Sequence, residues 1–129
     1  MIILNFSHPL SENQIRQIET LTPHKVEQVI DLPAQFDNDL AYAPQVRRLA
    51  DHIPLDSETL QTARILVNPP ALNFITAMLL AELHGRMGFF PPIIRLRPEP
   101  ESMPPAFEVF EIINLQHIRE EARKTRGNK

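Results

Sequence analysis

Three short segments, the apolar runs 1–6 and 64–67 and the stretch 24–31 marked by Val26, Val29 and Ile30, alternate with stretches whose apolar residues recur at helical spacing. This alternation restricts the chain more than any other feature. The first and third, short and almost continuously apolar, suit strands covered on both faces, which a parallel sheet between helical layers provides. Ile15, Ile18 and Leu21 give the spacing of a first helix over 12–21. Ser11 stands at its N-cap position, and Gln14 lies three residues on, as a capping box requires. Residues 32–43 hold Pro33, Asp37, Asn38 and Asp39 and read as a loop. Pro44 then opens a second helix over 44–53, with Val46, Leu49 and Ile53 as its apolar face. Asp56 is placed to cap a short helical turn that runs to Gln61.

The third strand stops at Asn68-Pro69-Pro70. A third helix is expected over 71–84, apolar on most of its faces, with Gly85 as its left-handed cap. Two more strands follow at 92–96 and 106–113. The proline-rich link between them is too short for a crossover, so they pair antiparallel. A last helix over 115–126 frays into Gly127-Asn128-Lys129. The expected fold is a Rossmann-like three-layer α/β sandwich, a mostly parallel sheet with a C-terminal antiparallel pair, over residues 1–129 as a single domain.

The chain has no cysteine, which excludes disulfides, thiolate metal sites and a cysteine nucleophile. The start lacks a basic leader, and the longest apolar stretch is broken by Thr76 and Glu82, so a cytoplasmic location without membrane association is expected. Net charge is −3. Residues 1–60 hold nine acidic and four basic side chains, and the remainder seven and nine. An acidic chain without a basic stripe does not suit DNA or general polyanion binding. Most of the basic residues are arginines, which suit bidentate contacts to carboxylate or phosphate and equally suit surface ion pairs.

In open α/β sheets, ligands bind outside the carboxyl ends of the strands where strand order reverses. If strand one lies between strands two and three, that crevice opens between Ser7-His8 and Asn68-Pro69-Pro70. Asn5, Ser7, His8 and Asn68 are the resulting ligand-contact candidates, each of which also has a plain role in shaping a turn or cap. Asn73, one turn into the third helix, is a weaker candidate. His84-Gly85-Arg86-Met87-Gly88 places Arg86 between two glycines, either as a contact loop or as a capped helix end. Dinucleotide, P-loop and nucleophile-elbow motifs are absent, and the five histidines have no metal-ligand spacing, so neither cofactor nor metal is expected.

The opening Met1-Ile-Ile-Leu-Asn-Phe-Ser-His-Pro-Leu10 resembles the start of the small CRISPR-associated Csx-fifteen family. Gln35-Phe36, Leu66-Val67-Asn68-Pro69-Pro70, the run from Leu79 to Gly88 and the run from Glu111 to Gln116 extend the likeness along the chain. The resemblance implies an accessory protein of type III CRISPR antiviral defence, similar to CARF and ring-nuclease proteins. Such proteins handle cyclic oligoadenylate second messengers, most often cyclic tetra-adenylate, as homodimers with the ligand on the two-fold axis. It carries no catalytic residue onto a position here.

Three functions compete on these grounds. A binder would sequester cyclic tetra-adenylate and lower its free level. A metal-independent ring nuclease would cut it, with His8 as the catalytic candidate; that chemistry needs an acid–base group aligned with the 2′-hydroxyl, and no second group stands beside His8. A protein–protein adaptor would use the apolar third helix without any nucleotide. Binding is preferred. A homodimer built partly on that helix is expected, with assembly above the dimer left open.

Overall fold

A computed structural model describes residues 1–127. Its elements run β1 (Ile2–Asn5), α1 (Glu12–Leu21), β2 (Gln28–Asp31), α2 (Tyr42–Asp51), α3 (Ser57–Thr62), β3 (Ile65–Asn68), α4 (Asn73–Met87), β4 (Ile93–Pro98), β5 (Phe107–Ile113) and α5 (Leu115–Arg123). The five strands form one sheet in the order β2-β1-β3-β4-β5, parallel except for the last pair. This is the Rossmann-like arrangement that the strand–helix alternation requires, and strand order reverses at β1. Among the described residues, no helix is long and apolar enough to cross a membrane.

Each parallel strand sends alternate side chains to two separate cores. Leu4, Phe6, Ile30, Ile65 and Val67 pack with α2, α3 and α4 on one face. Ile3, Leu66, Ile94 and Val109 pack with Ile18 of α1 on the other. Within α4 the residues Ile75, Leu79, Leu83 and Met87 form the buried stripe expected at four-residue intervals. Leu79 and Leu83 are 0% exposed. They therefore hold the core together, and a charge there would stand unpaired inside the protein instead of parting two subunits.

Several boundaries differ from the sequence expectation, each for a local reason. The second strand begins at Gln28 and not at 24, because the Val26 N–H is taken by the Glu19 carboxylate. α2 starts at Tyr42, which leaves Pro44 within the first turn, where no intrahelical N–H is needed. α4 runs from Asn73 to Met87 instead of 71–84. Gly85 lies inside this helix, and Gly88, at φ 87°, is the left-handed cap whose N–H donates to the His84 carbonyl. α5 ends at Arg123; of the expected frayed tail, 128–129 lie outside the described residues. The Ser11–Gln14 capping box and the Asp56 cap on Thr59 are both present.

Gln14 has a second task. In the β4–β5 ladder Phe107 and Val109 direct their backbone groups to the outer edge of the sheet. The Gln14 side-chain amide donates to the Phe107 carbonyl at 3.0 Å, and the Val109 N–H donates to the Gln17 side chain at 2.8 Å. One turn of α1 thus closes an edge that would otherwise be open to pairing.

Candidate functional site

The three parallel strands around the reversal all end on short polar residues. Asn5 stands in register with Asp31 on one side and Asn68 on the other. Asn5 and Asn68 are 1% and 3% exposed. Buried amides this deep require partners, and the register supplies them. The Asn5 Nδ2 donates to Asp31 Oδ1 at 2.9 Å and to the His8 carbonyl at 3.0 Å. Its Oδ1 accepts from the Ser7 N–H at 3.1 Å and from Asn68 Nδ2 at 2.9 Å. All of Asn5's usual hydrogen-bonding capacity is therefore spent inside the protein. It fastens the Ser7-His8 turn to the sheet and has nothing left for a ligand.

Above this polar row lies a cleft of about 550 Å³, lined by Ser7, His8, Gln14, Asn68, Pro70 and Phe107 among others. Its walls are apolar at Leu10, Pro69, Pro70 and the half-exposed Phe107 ring. A second hollow of about 370 Å³ shares Ser7, His8, Pro70 and Ala71 with it and reaches Pro33 and Gln35. Pro33 and Gln35 in turn border a third, of about 470 Å³, that extends to Asp31, Arg48 and His52. These hollows form one trough across the carboxyl ends of β1, β2 and β3. Arg48 and His52 give it a basic end; the His52 Nδ1–H donates to the Arg48 carbonyl at 2.6 Å, which turns Nε2 outward from that bond.

The sequence candidates separate on this map. Ser7, His8 and Asn68 line the main cleft together. The Asn73 side chain accepts the Phe74 N–H at the start of α4 and borders an outlying hollow of about 240 Å³, which meets the trough only through Leu72 and Phe36. Arg86 sits at the other end of α4, in a separate groove against α2. Its guanidinium binds Glu82 at 2.9 Å and Asp51 at 2.7 Å, and those hydrogen bonds, Glu82 first, raise its pKa above the usual arginine value. Arg95 does line the main cleft, but it and Arg97 are engaged with Glu111 and Glu108, and both guanidiniums stack on the Phe110 ring.

Asp31 is the site residue that sequence reasoning missed, appearing there only as one acid among many. The signal was present: three strands of one parallel sheet end on Asn, Asp and Asn. The site's electrostatics are mild. The main cleft holds no carboxylate–imidazole couple, since the His8 ring has no partner among the described residues. Nor does any group of three or more His, Cys, Asp or Glu among the described residues form a metal cage. The arrangement can hold a planar, partly polar group between apolar walls. Among the described residues it pairs no acid with a base for proton transfer. Comparison with family models, with characterised proteins and with solved structures returns no match.

Proposed function

We propose that this chain binds cyclic tetra-adenylate in the strand-end trough, as an accessory protein of type III CRISPR defence, and lowers its free level by holding it. The observation that carries this reading is the main cleft itself. It combines the exposed face of Phe107, proline walls and the Asn68 amide at the point where strand order reverses. Aromatic and apolar walls suit purine stacking, and an amide suits a base edge. The arginine that lines this cleft, Arg95, is already paired with Glu111, so recognition through walls and amide suits an acidic chain better than a basic field around the phosphates. A cleft of about 550 Å³ is suited to one or two nucleotides and not to a ring of four. A two-fold dimer would bring two such clefts to one ring.

Holding is favoured over cutting by the state of His8. Its imidazole is exposed, and among the described residues no carboxylate orients it, whereas metal-free RNA cleavage requires an aligned base and a leaving-group acid. The test is incubation with labelled cyclic tetra-adenylate, followed by equilibrium binding and product analysis. The expected result is saturable binding with the ring recovered intact. Ser7→Ala should weaken binding by about tenfold per lost contact. Absence of binding overturns the reading. Linear product would replace holding with ring cleavage, and His8→Ala should then lose turnover out of proportion to affinity.

A further inference from the structure

An asparagine side chain can ordinarily turn over by half a rotation and exchange its donor and acceptor. Asn68 lacks that freedom, because a chain of one-way hydrogen bonds fixes it. The Ser7 N–H can only donate, so the atom of Asn5 that meets it is Oδ1. The His8 carbonyl can only accept, and the Ser7 N–H already holds Oδ1, so Asn5 Nδ2 faces the His8 carbonyl and the Asp31 carboxylate. Asn5 thus offers an acceptor to Asn68, and Asn68 must answer with Nδ2. Among the described residues no protein group meets Asn68 Oδ1. No buried side-chain polar atom lacks a partner among the described residues, so this oxygen is not sealed in but opens where Asn68 lines the cleft.

Resting on the adenylate-binding reading above, we propose that Asn68 is the residue that selects the base, and that Asn5 and Asp31 are positioning residues that fix the order in which it presents acceptor and donor. Adenine carries its donor on the exocyclic N6 and its acceptor on the adjacent ring nitrogen. Hypoxanthine reverses that order, with an exocyclic carbonyl oxygen beside a protonated ring nitrogen. A freely turning asparagine would serve both bases. A locked one serves a single order, and a base of the opposite order meets acceptor with acceptor and donor with donor.

The experiment compares cyclic tetra-adenylate with cyclic tetra-inosinate, the same ring and phosphates with only the base edge altered. Wild-type protein is expected to prefer the adenylate ring by at least about tenfold. Asn68→Ser should reduce the preference to below about threefold while the apolar walls still hold both rings. Asn5→Asp sets an acceptor against Asp31 and the His8 carbonyl and should also erode the preference. The exchanged pair, Asn5→Asp with Asp31→Asn, should restore it in part, since only the contact with the His8 carbonyl then stays unmade. The amide introduced on β2 can then donate to the carboxylate introduced on β1, and that carboxylate still accepts from Ser7 and Asn68. Such a rescue is not expected of residues with only a packing role. Should Asn5→Asp fail to fold, the wild-type comparison and Asn68→Ser still decide the matter. Equal binding of the two rings by wild-type protein, or an undiminished preference in Asn68→Ser, overturns selection by Asn68 and leaves the binding function standing. Failure to bind either ring overturns both.

Discussion

A single side chain can fix how part of this protein responds to acid. Asp56 caps α3, and the Thr59 backbone N–H at 2.8 Å holds its carboxyl below the usual carboxylate range. The folded pKa is thus lower than the unfolded one, so this contribution to stability is complete above the unfolded value and is lost as pH falls through the folded one. That window lies below about pH 4. Asp56→Asn keeps an acceptor at the cap but removes the titration. Urea midpoints measured from about pH 2 to pH 6 should therefore fall less steeply for the variant, and an acid limb identical to wild type would show that the cap does not couple to folding. The site has a comparable hierarchy. Ser7, His8 and Asn68 were visible from the sequence because turn chemistry and strand ends are local. The division of labour between Asn5 and Asn68 was not, because it depends on side-chain register across three strands, and Asp31 enters only through that register.

Among the elements, order was readable and ends were less so. Apolar runs and helical spacing identify all five strands and the helices between them, since both report burial directly. The end of α4 was misplaced because two glycines stand three residues apart and either can cap a helix. The backbone settles on Gly88, and Gly85 continues the helix on an exposed face. The contact between α1 and β5 lay beyond any local pattern. Gln14 reads as a capping-box residue, which it is, yet its amide nitrogen also satisfies the edge of the last strand. Replacing both Gln14 and Gln17 with alanine should cost about 1.5–4.5 kcal/mol, taking about 0.5–1.5 for each of the three bonds lost, the capping-box bond from Ser11 included. Amide exchange at Val109 should accelerate in the double variant relative to the other amides of β5. Equal protection of Val109 in both proteins would show that the clamp contributes nothing to the edge.

For the whole molecule, the question is how a trough of this size meets a ring of four nucleotides. At its outer margin Leu72 and Phe74 remain exposed, Phe74 by 70%, beside the start of α4. An apolar margin of this kind suits contact with a second copy, and the homodimer we propose would use it, not the buried stripe of α4. Phe74→Asp should therefore shift the protein toward monomer in sedimentation and weaken binding of the cyclic ring, while leaving thermal stability near wild type because this side chain contributes little to the core. A monomer in both proteins, with and without ring, would remove the dimer from the account. The clamp on β5 bears on how the chain is made. Gln14 and Phe107 are 93 positions apart, and Gln17 and Val109 are 92. A growing chain can assemble its first three strands early, but its first helix waits for nearly the whole of translation before the strand it fastens has emerged. The return of the last strand to the first helix is then a late, long-range closure, and a chain cut short before that strand would carry β4 as a bare edge.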